Sequence, residues 1–289
     1  MKNMNANLKS FKTPLRYPGG KSRACVKLEQ YLPDLRDYRE YREPFIGGGS
    51  VAIHISKKYP SLDIWVNDLY EPLYNFWCIL RDEPEDLCEV LKEYKSKHST
   101  PELAKDLFLQ MKTEVDDKEN PHLQRAAAFY VVNKCSFSGL TESSSFSKQA
   151  SNSNFSMRGI EKLPGYGSIV KDWKITNLRY QELLTDDRNV FTYLDPPYEI
   201  GSNLYGKRGS MHKGFDHDGF AVICDRFIGP QLISYNSSQL IRDRFSGWGV
   251  GEFDLTYTMR SVGEYMREQK SRKELVLFNY RTEGLVELN

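Results

Sequence analysis

The chain has 289 residues, of which 39% are hydrophobic and 13% aromatic, and its mean hydropathy is -0.59. This length allows one large domain, or a core that carries a smaller insert. No run of about 18 apolar residues is present, which excludes a membrane-spanning helix, and the N-terminus lacks the apolar segment of a signal peptide. Five scattered cysteines without a CxxC pair, and five histidines without ligand spacing, predict a reduced, cytoplasmic protein without structural metal.

The formal net charge is only +1, but the charges are unevenly distributed. Residues 1–40 contain nine Lys and Arg against four Asp and Glu, and residues 121–180 contain eight against three. Residues 81–120 contain seven against twelve. A surface that binds phosphates needs only local positive charge. Ordinary scatter of charge over solvated faces explains the same counts, so this pattern alone assigns no partner.

The first motif, TPLRYPGGKSR, covers residues 13–23. It predicts a turn at Pro18 to Gly20 and then a helix from Ser22 to Tyr31, with Ser22 as its N-cap. Paired glycines let the backbone approach a ligand closely, and Lys21 is placed to meet a carboxylate. The motif lacks the spacing of a phosphate-binding P-loop, so it does not indicate nucleoside triphosphate hydrolysis.

The second motif, EPFIGGGSVAIHI, covers residues 43–55 and predicts a strand, a glycine turn and a helix. A second strand is expected at residues 62–66, and Asp68 follows it, 19 residues after Gly49. An acidic residue at this distance meets ribose hydroxyls in Rossmann-type units, so the pair indicates a nucleoside-containing cofactor. The alternative is a glycine that is needed only for packing, with Asp68 capping a helix that begins at residue 69 or 70.

Four helical patterns follow between residues 69 and 133, and no strand interrupts them. This indicates a mainly helical subdomain, residues 69–171, inserted into an α/β core formed by residues 1–68 and 172–289. Residues 136–156 then contain nine serines, interleaved with Phe137, Phe146 and Phe155. Hydroxyl groups, Lys148 and Arg158 suit phosphates and base edges, and Phe137 suits insertion into a base stack. A flexible serine-rich linker is the alternative.

The third motif is DPPY, Asp195 to Tyr198, at the end of a buried strand expected at residues 189–194. Pro196 and Pro197 prevent both a helix and a ladder hydrogen bond, so the motif forms a stiff elbow at the carboxyl end of a strand. Asp195 and the Pro196 carbonyl supply acceptors for a planar amino group, and Tyr198 supplies a stacking face. An ordinary loop after a strand is the alternative.

The glycine-punctuated basic segment 199–214, which contains Lys207 and Arg208, is expected to be a mobile loop over this elbow. The other patterns alternate in the manner of an α/β sheet. They predict strands at residues 173–177, 231–235, 250–255 and 274–280, and helical segments at residues 180–185, 216–227 and 237–245.

Taken together and in this order, PGGK, EPFIGGGS, VND and DPPY resemble the Dam-like family of DNA adenine-N6 methyltransferases, from about Pro14 to Tyr280. The resemblance implies an α/β, Rossmann-like core that uses S-adenosylmethionine, a helical target-recognition insert, and double-stranded DNA as partner. It implies a direct methyl transfer to a flipped adenine, without a metal ion. Its catalytic residues would be Asp195, Pro196, Pro197 and Tyr198. Its cofactor-binding residues would be Tyr17, Lys21, Phe45, Gly47, Gly49, Asp68 and Asp195.

The segment NKCSFSGL is similar to the family's DNA-entering element. It makes Phe137 a candidate intercalator and Leu140 a candidate base contact, with Ser138, Lys148, Arg158, Lys207 and Arg208 as further DNA-binding candidates. Members that recognise GATC follow this element with a Cys/Tyr-Arg pair, whose Arg can read guanine. Here Thr141 and Glu142 stand in its place. The sequence therefore predicts a recognition site other than GATC, or loose specificity.

Three other functions stay open at this point. The motifs also suit methylation of another amino group, such as cytosine-N4 in DNA or guanine-N2 in ribosomal RNA. A dinucleotide-dependent oxidoreductase would use the glycine turn and Asp68, but it would leave the DPPY elbow unexplained. A catalytically silent DNA-binding module would have no need of Lys21, Asp68 and Asp195.

Overall fold

The computed structural model describes residues 11–17, 20–137, 144–198, 214–255 and 272–281. Its centre is a seven-stranded sheet with the order β3-β2-β1-β4-β5-β7-β6. The strands are β1 (Glu40–Glu43), β2 (Asp63–Asn67), β3 (Lys174–Thr176), β4 (Val190–Leu194), β5 (Gln231–Asn236), β6 (Gly249–Leu255) and β7 (Arg272–Phe278).

Strands β1 to β5 are parallel, and β7 runs antiparallel to both β5 and β6. Tyr41 of β1 is in register with Ile64 of β2 on one side and with Phe191 of β4 on the other. In chain order, β2 and β3 are added on one side of β1, and β4 and β5 are added on its other side. The strand order therefore reverses between β1 and β4, where open α/β sheets form a ligand-binding crevice at the carboxyl ends of their strands.

Eleven α-helices lie in the part of the chain that the structure describes. They are α1 (Cys25–Leu28), α2 (Ser50–Lys58), α3 (Glu71–Asp82), α4 (Pro84–Lys97), α5 (Pro101–Glu114), α6 (His122–Cys135), α7 (Lys148–Ser153), α8 (Met157–Ile160), α9 (Leu163–Val170), α10 (His217–Arg226) and α11 (Gln239–Arg244). Short 3-10 turns occupy Lys21–Arg23, Leu35–Asp37 and Tyr180–Leu183.

Proline and hydroxyl residues set several of these helix starts. Helices α3, α4, α5 and α9 each carry a proline at their first or second position, where the missing N–H costs nothing. The Thr100 hydroxyl accepts a hydrogen bond from the backbone N–H of Leu103 and so caps α5. None of the described helices is both long and apolar enough to cross a membrane.

The four helical patterns between residues 69 and 133 are confirmed as α3 to α6. Their buried side chains belong to the same hydrophobic cluster as those of the sheet, and Trp77 of α3 packs 5.8 Å from Trp173, which precedes β3 (ring centroids). The proposed division of the chain at residues 69 and 171 therefore stays a prediction. Helix α3 joins the two parts, since it contacts both β3 and α6.

Two details of the sequence interpretation are wrong. The helix expected from Ser22 to Tyr31 is a 3-10 turn followed by the single turn α1, and Ser22 caps neither; its hydroxyl lies 2.9 Å from that of Ser50. Lys21, the first residue of the 3-10 turn, is only 3% exposed. Strand β1 ends at Glu43, before the apolar Phe45 and Ile46, which belong to the turn that follows.

Candidate active site

The glycine turn after β1 folds back onto the end of β2. The Ile46 amide donates to the Asn67 carbonyl (2.9 Å), and the Gly49 amide donates to the Ile46 carbonyl (2.8 Å). Gly47 and Gly49 have φ angles of +47° and +67°, a region that side chains with a Cβ rarely adopt. A Cβ on Gly49 would also lie 2.5 Å from the Trp77 ring. The turn therefore requires glycine for both its conformation and its packing.

Asp68 holds two parts of the backbone together at the end of β2. One carboxylate oxygen accepts from the Gly47 amide and the other from the Tyr70 amide, each at 3.0 Å. Asp68 thus holds the backbone before α3, whose N-cap residue is Tyr70, and it also holds the glycine turn. Burial raises the pKa of Asp68 to about 7, although hydrogen bonds from the Gly47 and Leu69 amides oppose this rise.

The N-terminal motif packs directly onto the glycine turn. A Cβ on Gly47 or on Gly48 would lie 2.9 Å from atoms of Tyr17, so both glycines allow this side chain to approach closely. Asn133, the buried residue near the end of α6, fixes the segment, because it accepts from the Arg16 amide (2.9 Å) and donates to the Arg16 carbonyl (2.6 Å). Helix α6 therefore positions Tyr17.

The DPPY elbow meets Lys21 at the carboxyl end of β4. The Lys21 ammonium lies 2.8 and 2.9 Å from the two carboxylate oxygens of Asp195, and it donates to the Tyr198 hydroxyl at 2.6 Å. Burial raises the pKa of Asp195, and the charge and hydrogen bonds of Lys21 oppose that rise. The Asp195 side chain remains 22% exposed toward the cavity, whereas Lys21 is enclosed.

Two further carboxyl groups lie near this ion pair. Glu274 of β7 is 3.2 Å from the Lys21 ammonium and accepts a hydrogen bond from the Tyr198 hydroxyl. Glu43, the last residue of β1, accepts from the Tyr41 hydroxyl at 2.8 Å. Burial raises the pKa of both glutamates above its usual range. The residue patterns gave no role to either glutamate. The partners of Glu274 are distant in sequence, and Glu43 is hydrogen-bonded to a neighbouring residue of its own strand.

A cavity of about 510 Å³ joins these parts along the carboxyl edge of the sheet. It is lined by nine of the residues that the sequence assigned to the cofactor or to catalysis: Tyr17, Lys21, Phe45, Gly47, Gly49, Asp68, Asp195, Pro196 and Pro197. Tyr198 is 9% exposed and does not line the cavity. Its ring lies 6.0 Å from that of Tyr235 (centroids).

One wall of the cavity was missed by the sequence interpretation. It comes from residues 178–181, which follow β3, and from Phe215 and Asp216, which precede α10. The Tyr180 ring stacks on Phe45 with centroids 5.4 Å apart, and Phe215 packs edge-on to Phe45 at 5.9 Å. The position of residues 178–181 at the carboxyl end of a parallel strand was the signal that could have identified them.

The described DNA-binding candidates lie apart from the cavity lining. Phe137 follows α6 and is 49% exposed, and its amide donates to the Ser145 carbonyl at 3.0 Å. Lys148 begins α7 with a largely exposed side chain 4.0 Å from Glu102, and Arg158 is exposed in α8. Ser138, Leu140, Lys207 and Arg208 lie outside the described residues, as does most of the loop 199–214.

Within the described ranges, no group of three or more His, Cys, Asp or Glu side chains is placed to hold a metal ion.

The sheet with its helices has the α/β, Rossmann-like fold of a methyltransferase. The D12 class N6 adenine-specific DNA methyltransferase family matches residues 17–259, and the chain belongs to this family. It is an adenine-specific DNA methyltransferase, which methylates the N6 amino group of adenine in DNA. This confirms the resemblance to the Dam-like enzymes.

Several curated proteins are similar to the chain. The Type II methyltransferase M.MjaIII of Methanocaldococcus jannaschii is 24% identical over 198 residues, which cover 64% of this chain and 68% of that protein. The Type II methyltransferase M1.LlaDCHI of Lactococcus lactis subsp. cremoris is 22% identical over 294 residues, which cover 95% and 96%. The DNA adenine methylase of Vibrio cholerae is 25% identical over 134 residues, which cover 46% and 44%.

Proposed function

We propose that the protein uses S-adenosylmethionine as methyl donor and modifies a flipped adenine within a short specific sequence of double-stranded DNA. One observation carries this proposal. Asp68 and Asp195, which directly follow β2 and β4 on the two sides of the point where the strand order reverses, line a single cavity. A nucleoside cofactor and an amino group can therefore occupy neighbouring parts of the same crevice.

The cofactor end of the cavity suits an adenosine. The Asp68 carboxylate suits the ribose hydroxyls, and the stacked pair of Phe45 and Tyr180 offers an aromatic wall for the adenine ring. Tyr17 and the glycine turn allow close approach of the remaining part of the molecule. When bound, the cofactor supplies an electrophilic methyl group on a sulfonium, and transfer to N6 leaves a neutral thioether and releases one proton.

The other end suits the target base. Each Asp195 oxygen has further acceptor capacity beyond its contact with Lys21, and together with the Pro196 carbonyl these oxygens can accept both hydrogens of the adenine amino group. This arrangement turns the nitrogen lone pair toward the methyl group, and near-attack placement and charge stabilisation provide the acceleration. The Tyr198 ring, which lies beside the cavity lining rather than in it, is assigned to stacking on the flipped base, and the Asp195 carboxylate can accept the proton that N6 loses.

The proposed contacts with DNA come from residues in and after the segment that follows α6. An adenine amino group inside a duplex is out of reach of such a crevice, so the base must leave the stack. Exposed Phe137 suits insertion into the gap, while Lys148 and Arg158 suit phosphate contacts. Two of the similar proteins are named Type II methyltransferases, which supports a role in DNA modification alongside a restriction enzyme.

Replacement of Asp195 tests the reaction. We expect Asp195→Ala to lower the rate of methyl transfer from labelled S-adenosylmethionine to duplex DNA by about 100-fold or more, since it removes a group that binds the reacting nitrogen. DNA binding, measured by fluorescence anisotropy, should remain within a few-fold of wild type. The matched control is Asp172→Ala, whose side chain is 86% exposed. Activity of Asp195→Ala within about tenfold of wild type would falsify the assignment.

A further inference from the structure

Glu274 is a buried carboxyl group that does not line the cavity. It lies in β7, in register with Asn236 of β5 and Phe253 of β6, and only 2% of its surface is exposed. A buried carboxylate in a sheet interior is costly unless charged or hydrogen-bonding partners surround it. The partners of Glu274 are both residues of the proposed active site.

The contacts of Glu274 close a ring with Lys21 and Tyr198. The Tyr198 hydroxyl accepts from the Lys21 ammonium (2.6 Å) and donates to Glu274 (2.5 Å), and the Lys21 ammonium lies 3.2 Å from the same glutamate oxygen. The ammonium also contacts both oxygens of Asp195. Tyr198 therefore has its hydroxyl fixed from two sides, next to the carboxylate that ends β4.

The contacts among Lys21, Tyr198 and Glu274 restrict the side-chain rotation of Tyr198, which the backbone does not fix. Pro196 and Pro197 restrict the backbone before Tyr198, but they do not fix the rotation of its side chain. The packing against Tyr235 covers one side of the ring, and the hydroxyl contacts set how far it can swing. A stacking face that is displaced by about 1 Å can cost about 100-fold in rate, because the nitrogen then misses its line of attack.

We propose that Glu274 is a positioning residue for methyl transfer. It holds the Tyr198 ring and the Lys21 ammonium in place beside Asp195, and it touches neither the cofactor nor the base. This inference rests on the proposed function, in which Tyr198 stacks on the flipped adenine. It assigns a catalytic requirement to a strand that contributes nothing to the cavity wall.

The test combines single and double substitutions, with kcat and KM measured separately. We expect Glu274→Ala to lower kcat at least about tenfold, while the KM for S-adenosylmethionine changes less than about threefold. Glu274→Gln keeps an acceptor for the Tyr198 hydroxyl and should recover a large part of kcat. Because Glu274 acts through Tyr198, Tyr198→Phe with Glu274→Ala should be far less harmful than the product of the two single effects.

The control is Glu252→Ala in the neighbouring strand β6. Glu252 also pairs with cations, namely Arg242 and Lys273, but these pairs lie away from the cavity. The kcat of the Glu252→Ala variant should therefore stay within about twofold of wild type. A kcat for Glu274→Ala close to that of wild type, or effects that multiply with those of Tyr198→Phe, would overturn the positioning role. If wild type itself transfers no methyl group to adenine, the proposed function fails, and the role of Glu274 fails with it.

Discussion

Asp68 is buried and accepts hydrogen bonds from backbone amides. Burial acts to raise its pKa, and the hydrogen bonds act to lower it. Burial prevails and raises the pKa to about 7, from 3.8 for a free carboxyl group. A carboxyl group whose pKa is raised by folding contributes stability at low pH, and that contribution is lost as the pH rises from about 4 through 7. Ribose hydroxyls that donate to Asp68 favour its ionised form, so cofactor binding offsets this loss.

We therefore expect the affinity for S-adenosylmethionine to increase between pH 6 and pH 8. With a pKa of about 7, only about a tenth of the Asp68 side chains are ionised at pH 6, so the affinity should change about tenfold. Isothermal titration at several pH values measures this. The cofactor's own amino group titrates near pH 8, so the Asp68→Asn variant must be measured alongside. An equal pH dependence in both proteins would contradict the role of Asp68.

At the scale of elements, α6 links the DNA-binding candidates to the cofactor cavity. Its buried residue Asn133 satisfies both backbone groups of Arg16, and Phe137 follows the C-cap residue of the helix, Ser136. The next residue after Arg16 is Tyr17, which packs on the glycine turn. The helix that precedes this DNA-binding candidate thus also holds one wall of the cavity.

Loss of the hydrogen bonds between Asn133 and the Arg16 backbone should weaken cofactor binding more than it destabilises the folded protein. Asn133→Ala leaves the Arg16 amide and carbonyl without these partners, at about 1–3 kcal/mol for each group that stays buried. We expect the KM for S-adenosylmethionine to increase at least about fivefold, with a smaller change in kcat. Asn75→Ala is the matched control, since Asn75 is also buried and binds His122 between two helices, away from the cavity. An equal KM for the two variants would show that α6 does not position Tyr17.

The sequence predicted long, periodic elements better than short ones. Helices α3 to α6 follow from their apolar stripes, because an apolar period of 3.6 residues that continues over ten or more residues is typical of an amphipathic helix. Strand β1, with sequence EYRE, has little apolar content, and its assignment depends on parallel neighbours that are distant in the chain. The same limit applies to the site. Its motifs identify Lys21, Asp68 and Asp195, whereas the contact of Glu274 with Lys21 exists only once β7 has entered the sheet.

For the whole molecule, the net charge of +1 leaves DNA binding to local basic segments rather than to a general positive field. Two of the basic segments, residues 1–40 and 121–180, contain the N-terminal motif and the region around Phe137, which meet where Asn133 binds Arg16. Phosphate contacts of this kind position a protein on DNA without reading its sequence. Specificity must therefore come from side chains that reach the base edges.

The last prediction concerns the recognition sequence. Glu142 occupies the position at which GATC-reading members of the family carry an arginine, and a carboxylate cannot donate to the acceptors on the major-groove edge of guanine. Expression in a methylation-deficient host, followed by genome sequencing with detection of modified bases, should reveal N6-methyladenine in one short context other than GATC. Genomic DNA from these cells should not resist a nuclease that is blocked by GATC methylation.

Expression of Asp195→Ala in the same host provides the control, because any modification that it still shows comes from the host. Protection of GATC, and of no other sequence, would mean that another donor reads guanine in this protein and that Glu142 does not exclude it. Modified adenine in many unrelated contexts would instead fit loose specificity, since phosphate contacts and shape would then direct binding more than base edges do. The distribution of methylated adenines therefore distinguishes direct readout by this region from binding that depends on the backbone.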